Sequence, residues 1–389
     1  MKLLYVTESV PNRDPMLGDG SSMIPFEVLR NLPGDVAVTL LTFAGPVDVP
    51  DEIRTRCDAV LVLPKRPRLQ ALLRSFFGLN GLGRHERSTA QAIGAVTDLS
   101  TRHHATLIHG PHALFLAGHV RGPLVLQTVD PWSIRAGMDT AIAGTLQKPA
   151  YRARELLALL AERRLPARAR LLTVGAQDAV QWSERLNRSV RSIPNGAEPA
   201  VRDAARPNGP VVCFVGSLNY GPNIDSAIVL VRKIAPLVWQ EVPDARFVLA
   251  GRRPEASVQA LAGPRVEVLA NVPSVVEVFQ DANVAVFPDE HGVGIRNSVR
   301  EALAAGLPVV ATSVAAREQE AHPLLTVEDD TEKFVGHVVR ILTGPAREVL
   351  PQVDGPLRTW QSVANEYLDE LRSAIRSEGA GQPLGTPQA

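Results

Sequence analysis

Cysteine is nearly absent from this chain. Only Cys57 and Cys213 occur among its 389 residues, too few for a disulfide scaffold or for a zinc site built from cysteines. Long apolar runs are absent too, since none approaches the roughly 20 residues that span a bilayer. The apolar stretch at the N-terminus is shorter than the core of a signal peptide. We therefore expect a cytoplasmic protein, and peripheral docking at the inner face of the membrane stays open.

Net charge is missing as well, because 41 basic side chains balance 41 acidic ones. No overall field then favours nucleic acid or an anionic membrane as the partner. We find no Asp-x-Asp motif and no histidine or cysteine cluster at ligand spacing, so no metal site is expected. No G-x-G-x-x-G follows the first strand of either half, which disfavours a nicotinamide dehydrogenase. The abundance of arginine and alanine indicates a GC-rich bacterial genome.

Short β-branched runs alternate with longer helical patterns along the whole sequence. Such alternation predicts an α/β protein, in which helices cover both faces of parallel sheets. A chain of 389 residues is longer than the usual domain with one hydrophobic core. We therefore expect two Rossmann-like, doubly wound domains that face a central cleft. We place them at residues 1–205 and 206–350, followed by a helix at 351–377 and a disordered tail at 378–389.

The apolar runs predict thirteen strands, and the longer periodic segments predict helices. The strands are Leu3–Thr7, Val36–Phe43, Ala59–Leu63, Thr106–His109, Leu124–Val129, Leu171–Val174, Val190–Ile193, Val211–Val215, Arg246–Ala250, Val266–Leu269, Val284–Phe287, Pro308–Thr312 and Leu325–Val327. The helices include Met23–Leu32, Ser88–Thr101, Tyr151–Leu165 and Ala176–Leu186, with a final one after Gly355. Ligands of such folds bind at the carboxyl ends of the strands, so residues that follow a strand are the binding candidates.

The segment from Val284 to Thr312 is the most informative one. It predicts a strand, a loop, a helix that ends at Ala305-Gly306 and a second buried strand. The loop brings four residues to the start of the helix, namely Gly294, Ile295, Arg296 and Asn297. Backbone N–H groups and the positive end of the helix dipole favour an anion there, such as a nucleoside diphosphate. One turn further on, Glu301 could accept hydrogen bonds from two sugar hydroxyls.

Other candidates follow strands elsewhere in the sequence. Gly18 and Gly20 would let the backbone approach a donor phosphate or an acceptor, although a plain strand-to-helix connection is the alternative. Arg296 suits bidentate binding of a diphosphate, or it is a solvated surface arginine. Arg252 comes directly after strand Arg246–Ala250, where it either faces a ligand or is a charge at the start of a helix.

Several motifs occur in a fixed order along the chain. Ser192–Gly196 reads SIPNG, Phe214–Leu218 reads FVGSL and is followed by Pro222–Asp225 (PNID), and Gly294–Gly306 reads GIRNSVREALAAG. Over about residues 1–374 the chain thus resembles the retaining glycosyltransferases of the two-Rossmann-domain (GT-B) architecture, family 4, in the group 1 superfamily. In that family the last helix crosses back onto the first domain, and the Thr359-Trp360-Gln361 segment is similar to it.

The resemblance implies transfer of a sugar from a nucleoside diphosphate sugar, without a metal or another cofactor. UDP-sugar is the expected donor, with GDP- and dTDP-sugars as alternatives. The acceptor would carry a hydroxyl or an amine and could be a small molecule, a natural product, a polysaccharide or a lipid-linked compound. A nucleotide-sugar epimerase with the same architecture and a non-catalytic scaffold are the alternatives, and the oligomeric state is open.

The resemblance also implies roles for single residues. Gly216 and Ser217 would lie in the donor site, and the backbone at Val272 would meet the base. Asp130 stands where many members have a histidine that meets the transferred sugar, so it would orient a hydroxyl or stabilise positive charge at the anomeric carbon. It would otherwise cap the Pro131-Trp132 turn. His109 would be a cleft histidine and, with Asp130 and Arg296, part of the catalytic set; a packed, hydrogen-bonded histidine is the alternative.

Three departures from the family pattern matter. Val293 replaces the first of two glutamates eight positions apart, Ser298 stands where one subgroup has lysine, and Ser217–Gly221 lacks the usual arginine and lysine. Diphosphate binding would then depend on the helix N-terminus, Arg296 and Arg252. Separately, the basic segment Lys65–Arg87 could dock a lipid-linked acceptor at a membrane, although its Leu/Phe face also suits the buried side of a helix.

Overall fold

The computed structural model describes residues 1–14, 18, 20–71, 82–142, 144–145, 147–199, 209–291, 295–344 and 358–379. Gly294, Val293 and most of the predicted tail lie outside these residues. The chain forms two compact units, which we call the first and the second domain. The first comprises Met1–Asn195 and the segment that begins at Trp360, and the second comprises Gly196–Thr359. Within the described ranges, no helix is long and apolar enough to cross a membrane.

The first domain is built on a seven-stranded sheet in the order β3-β2-β1-β4-β5-β6-β7. Each neighbouring pair is parallel. Its strands are β1 (Lys2–Thr7), β2 (Ala37–Phe43), β3 (Ala59–Leu63), β4 (Ala105–His109), β5 (Leu124–Gln127), β6 (Arg170–Thr173) and β7 (Val190–Ser192). Every residue of β4 and β5 is buried, as expected for central strands covered on both faces.

The helices of the first domain alternate with its strands. They are α1 (Gly20–Asn31), α2 (Asp51–Arg56), α3 (Leu82–Arg87), α4 (Ala90–Ser100), a 3-10 helix (Pro111–His119), α5 (Trp132–Ile142), α6 (Lys148–Arg163) and α7 (Ala176–Leu186), together with the C-terminal helix Trp360–Gly379. The predicted Ala176–Leu186 is confirmed to the residue, and Met23–Leu32, Ser88–Thr101 and Tyr151–Leu165 are confirmed with ends displaced by up to three residues. The final helix, predicted after Gly355, begins at Trp360.

The second domain carries a six-stranded parallel sheet in the order β10-β9-β8-β11-β12-β13. Its strands are β8 (Val211–Val215), β9 (Arg246–Gly251), β10 (Val266–Ala270), β11 (Val284–Phe287), β12 (Val309–Ala311) and β13 (Leu325–Val327). Its helices are α8 (Gly221–Val229), a π-helical turn (Leu230–Ile234), α9 (Ala235–Glu241), α10 (Ala256–Gln259), α11 (Val275–Gln280), α12 (Asn297–Ala304) and α13 (Thr331–Thr343). All thirteen predicted strands are thus confirmed, with ends that move by at most two residues.

Helix α5 was not predicted, because the sequence analysis treated Pro131-Trp132 as a turn. Tertiary contacts explain its formation. The Glu162 carboxylate on α6 accepts a hydrogen bond of 3.1 Å from the Ser133 N–H in the first turn of α5, which satisfies one of the helix's open donors. Burial raises the pKa of Glu162, and hydrogen bonds at Ser133 act in the opposite direction. A cap supplied from another helix leaves no local signal in the sequence.

The C-terminal helix Trp360–Gly379, which we call α14, is fixed to the first domain by buried polar contacts. The Gln127 amide donates to the Tyr367 hydroxyl at 2.7 Å. Glu370, with a side chain only 4% exposed, accepts hydrogen bonds of 2.5 Å from both Arg170 and Arg191. Burial opposes ionisation of this carboxyl group, but the two arginines outweigh it and hold the pKa of Glu370 below its usual value.

Glu370→Gln should lower the free energy of unfolding at neutral pH by about 1–3 kcal/mol, because two charge-assisted hydrogen bonds weaken. A carboxylate with a depressed folded-state pKa stabilises fully above its unfolded pKa of about 4.3, and this stabilisation is lost as pH falls through the folded pKa. The difference between variant and wild type should therefore shrink in acid. Urea unfolding at several pH values measures it. Asp369→Asn on the same helix is the control, since that carboxylate is 67% exposed and its ion pair contributes little. A difference that persists unchanged in acid would contradict the charge-based account.

Candidate functional site

The loop after β8 lies against the end of β9. The Gly216 N–H donates to the Ala250 carbonyl at 3.0 Å, and the Leu218 N–H donates to the Arg252 carbonyl at 2.9 Å. A Cβ added at Gly251 would overlap the Gly216 carbonyl oxygen and lie 2.8 Å from its carbonyl carbon. Glycine at 251 is therefore what lets this loop approach so closely. Gly216 and Ser217, two predicted site residues, are thereby fixed at the carboxyl edge of the sheet.

The Arg296 guanidinium lies inside this edge rather than on the surface. It forms an ion pair with Asp289 and donates to the Asn223 side-chain oxygen at 3.0 Å. Its Cζ lies 5.0 Å from the centre of the Phe214 ring and 4.7 Å from that of Phe287, within cation–π range. The solvated surface arginine that the sequence left open is therefore excluded.

Two nitrogens of the same guanidinium are unused. Nε and Nη2 of Arg296 are buried and have no hydrogen-bond partner among the residues that the structure describes. Nη2 lies 3.4 Å from the position that a Cβ on Gly216 would take, so it faces the loop after β8. Burial lowers the pKa of Arg296 and Asp289 counteracts this. A buried donor without a partner costs free energy, and an anion at Gly216 would satisfy both nitrogens.

Asp289 and Asn223 hold Arg296, and the sequence analysis assigned no role to either. The Asp289 carboxylate also accepts from the Ser226 hydroxyl at 2.7 Å, and its backbone carbonyl accepts from the Thr312 hydroxyl at 2.8 Å. The Asn223 amide donates to the Ser217 carbonyl at 3.0 Å. A signal did exist, since Asp289 is an acid two residues after the buried strand β11 and Asn223 is part of the PNID motif.

Helix α12 begins beside this cluster. Arg296 flanks its N-terminus and its side chain makes no capping hydrogen bond there, and the Arg296 carbonyl accepts from Gln319 at 3.0 Å. Ile295 and Asn297 are half-buried at this point, and Glu301 is half-buried one turn further on. The helix ends as predicted, with Ala305 as its C-terminal cap and Gly306 in the left-handed region at φ 69°. The structure thus brings Ile295, Arg296 and Asn297 together at one helix start.

Two more predicted residues occupy the neighbouring strand ends. Arg252 donates to the Ser217 hydroxyl at 3.0 Å, so its guanidinium extends along the same loop. Asn271 has a positive φ of 58°, and its side chain accepts from the Arg253 N–H at 2.9 Å. This contact joins the loops after β9 and β10. Val272 is half-buried and packs against the core of the second domain.

In the first domain, the two predicted glycines have different surroundings. The Gly18 N–H donates to the Asp14 carbonyl at 2.8 Å, and a Cβ there would lie 2.7 Å from the same oxygen. Gly18 is thus needed by a tight turn of its own loop. Gly20 begins α1, and a Cβ there would lie 3.3 Å from Val129. Gly20 is therefore close to the strand end that precedes Asp130.

His109 does not fit the cleft role that the resemblance implied. It is fully buried, and its Nδ1 lies 3.3 Å from the Tyr5 hydroxyl. Burial lowers its pKa to about 3, so the ring is neutral at physiological pH. A ring with no exposed surface cannot touch a substrate in this structure. The alternative left open for His109, a packed and hydrogen-bonded histidine, describes it better.

Asp130 does lie at the surface of the first domain. Its side chain is 40% exposed and lies 3.5 Å from the Arg135 guanidinium. Partial burial raises the pKa of Asp130, and Arg135 opposes the rise.

Close by, the Trp132 ring centre lies 5.7 Å from that of His112. The His112 N–H donates to the Glu8 carboxylate at 2.6 Å. Sequence reasoning missed Glu8, although an acid directly after β1 was visible.

Among the described residues, no group of three or more histidine, cysteine, aspartate or glutamate side chains could hold a metal ion. The second-domain cluster itself has the chemistry of an anion site, made of backbone groups and a guanidinium. It combines a glycine loop, the start of a helix and a buried guanidinium, two of whose nitrogens have no hydrogen-bond partner among the described residues. Such a set suits phosphate oxygens.

The chain is similar to known proteins in the sequence of its second domain and in its fold. Residues 209–344 match the family model of glycosyl transferases group 1, and these residues include the whole second-domain cluster. No curated protein gives a match in sequence. Among solved structures, HepE of Anabaena in complex with UDP-glucose is similar over 98% of this chain and 100% of its own, at 13% identity and a TM-score of 0.58. A glycosyltransferase from Rickettsia africae is similar over 96% and 98%, at 10% identity and a TM-score of 0.59.

An Escherichia coli structure described as trehalose-6-phosphate bound with UDP-2-fluoro glucose is also similar, over 98% of both chains, at 12% identity and a TM-score of 0.56. At such identities the structural similarity establishes the fold alone. The family match adds the group 1 assignment, and it covers the motifs FVGSL, PNID and GIRNSVREALAAG but not SIPNG. The chain therefore has the GT-B fold, and its second domain belongs to the superfamily of group 1 glycosyl transferases.

Proposed function

We propose that this protein is a retaining glycosyltransferase that moves a hexosyl group from a nucleoside diphosphate sugar to a hydroxyl or amine of an acceptor. The observation that carries the proposal is the pair of buried donors Nε and Nη2 of Arg296, which have no partner among the described residues and of which Nη2 lies beside Gly216. Asp289 fixes this guanidinium in place. A diphosphate oxygen at Gly216 would complete its hydrogen bonds and gain an already oriented charge.

The rest of the donor would extend from this point. Backbone N–H groups at the start of α12 would receive the diphosphate, and Arg252 would approach it along Ser217. Glu301 would hold sugar hydroxyls one turn along the helix, and the backbone at Val272 would meet the base. HepE was solved with UDP-glucose, which supports a UDP-sugar as the first donor to test, before GDP- and dTDP-sugars.

The chemistry would need no metal and no protein nucleophile. Arg296 and the α12 terminus would stabilise the departing diphosphate, and an oxygen of that diphosphate would take the proton of the acceptor. The new glycosidic bond would then form on the face that the diphosphate leaves, with retention of configuration. On the first domain, Asp130 would orient a sugar hydroxyl, since its carboxylate is accessible and Arg135 holds it.

We place the protein in the bacterial cytoplasm, with peripheral contact at the inner face of the membrane and a small molecule, natural product, polysaccharide or lipid-linked compound as the acceptor. The predicted docking segment Lys65–Arg87 is described only in part. Arg66, in its described part, donates to the carbonyls of His85 and Ser88 at 2.7 and 2.6 Å. That arginine is therefore used within the fold.

A thermal-shift panel of UDP, GDP, dTDP and ADP tests the proposal. One nucleotide at a hundred times its dissociation constant should stabilise the protein by about 2.7 kcal/mol, which is a readily measured shift. Glu301→Ala should reduce the shift given by the matching nucleotide sugar, because ribose or hexose hydroxyls lose their acceptor. Glu241→Ala is the matched control, since Glu241 is an exposed carboxylate at the C-terminal end of α9, which leads into the start of β9 at the opposite edge of the sheet.

Turnover assays separate the remaining alternatives. Release of the nucleoside diphosphate that depends on an added acceptor would support transfer, and release or isomerisation without any acceptor would support the epimerase. Binding without turnover would support the scaffold. If no nucleotide shifts the melting temperature of the wild-type protein, the donor site proposed here is wrong.

A further inference from the structure

Helix α6 carries a row of exposed side chains with a regular spacing. Lys148, Arg152, Leu156, Leu160 and Arg164 lie four residues apart, and all five are exposed. Leu156 is 57% exposed and Leu160 is 40% exposed. Each step of four residues turns about 40° around the helix, so Arg152, Leu156, Leu160 and Arg164 share a face about 120° wide and Lys148 lies at its edge. Arg164 still has helical backbone angles at the C-terminal cap. We call these five residues the Leu156 stripe: two leucines in the middle and cations at both ends.

The acidic side chains of α6 are held on its inner side. Glu155 accepts from Arg185 at 3.0 Å, and Glu162 is buried against the start of α5. Leu159 packs against the core of the first domain. No acid lies on the Leu156 stripe itself, so its charge is uncompensated along the helix.

Another cation reinforces one end of the stripe. Burial lowers the pKa of Arg84, and the like charge of Arg164 is the second cause of this shift. The like charges of the two arginines add to a positive potential that an anionic surface would relieve. Exposed leucines beside them would gain by leaving water.

We propose that the Leu156 stripe is a docking surface for an anionic lipid bilayer. Interfacial helices have this composition, with apolar residues that enter the headgroup region and basic residues that meet anionic lipids. A purely acidic protein would satisfy the cations but would leave the two leucines in water, so the bilayer is the better match. This proposal keeps the peripheral membrane contact of the proposed function but places it at the Leu156 stripe instead of at Lys65–Arg87. It does not depend on the glycosyl transfer chemistry.

Co-flotation of the full-length protein with lipid vesicles tests the proposal. Vesicles of phosphatidylcholine alone are compared with vesicles that contain 30% phosphatidylglycerol, at low and at high salt. We expect binding to the anionic vesicles only, weakened by salt. Because a basic residue near such a surface contributes about fivefold in partitioning, Arg152→Glu with Arg164→Glu should reduce binding by at least about 20-fold. Leu156→Gln with Leu160→Gln should reduce it by about tenfold.

Matched controls are available elsewhere on the first domain. Val180 is 58% exposed and Arg121 is exposed, and both lie off the stripe. Val180→Gln with Arg121→Glu makes changes of the same kind and should leave vesicle binding unchanged. All variants should have the melting temperature of the wild type and the same shift of that temperature when a nucleotide is added. These two measurements test the fold and the donor site independently of vesicle binding. Equal binding of the stripe variants and wild type, or no binding to anionic vesicles at all, would overturn the proposal and leave an acidic protein partner or none.

Discussion

Replacing Arg296 by lysine should lower kcat/KM for the nucleotide-sugar donor by about 100-fold or more. Lysine keeps a positive charge opposite Asp289, but it cannot replace the paired donors Nε and Nη2 of Arg296, of which Nη2 lies beside Gly216. Charge-assisted hydrogen bonds contribute about 1.5–3 kcal/mol each, and two of them correspond to at least about a 100-fold change in rate or affinity. Initial rates, together with calorimetric titration of the free nucleotide, would show whether binding or turnover carries the loss.

Arg300→Lys is the control for the loss of a buried guanidinium. Arg300 lies on the same helix and is only 6% exposed, and its Nη2 donates to the Glu318 carbonyl at 3.4 Å. Both variants should lose some stability, because each leaves buried acceptors less well satisfied. Only Arg296→Lys should lose donor binding. If it instead melts earlier while its donor kinetics stay those of the wild type, Arg296 serves only to neutralise Asp289, and the donor role fails.

The fold was predictable because the strands of both domains are nearly continuous apolar runs. Strand β8 (VVCFV) is buried at every residue. A continuous apolar run of this kind can be recognised in the sequence without knowing which strands it pairs with. Helix α5, in contrast, could not be predicted from local sequence. Its first turn is capped by Glu162 from α6, so the information that starts the helix lies 29 residues away. No local pattern in Trp132–Ile142 could supply it.

The candidate site was predictable in its backbone and less so in its side chains. The position of Arg296 at the start of a helix followed from the sequence, but its direction depends on Asp289 and Asn223, which fold onto it from two other segments. His109 shows the reverse case. Its place at a strand end was correct, yet the surrounding side chains enclose the ring completely. Location at the carboxyl edge of a sheet therefore predicts a site residue less well than the exposure of its side chain does. Exposure is decided by packing, which the local sequence does not show.

Gly251→Ala should destroy the native second domain, with the largest stability loss of any change considered for this protein. The added Cβ would overlap the Gly216 carbonyl oxygen and lie 2.8 Å from the carbonyl carbon, and both are backbone atoms. Relief requires the loop after β8 to move, which would break the bonds from Gly216 to Ala250 and from Leu218 to Arg252. A loss above about 3 kcal/mol is expected, seen as insolubility or the absence of a cooperative melting transition.

Gly263→Ala in the same domain is the control. A Cβ there would meet nothing within 4 Å, so the substitution should be neutral or stabilise by up to about 1 kcal/mol by restricting the unfolded chain. Gly216→Ala gives a third, different outcome. Its Cβ would meet the side-chain nitrogens of Asn223 and Arg296 at 2.8 and 3.4 Å, and these side chains can shift. We expect that protein to fold but to bind the donor weakly. A Gly251→Ala protein that melts like the wild type would mean that the loop can move, and the fixed geometry at Gly216 on which the donor site rests would then be wrong.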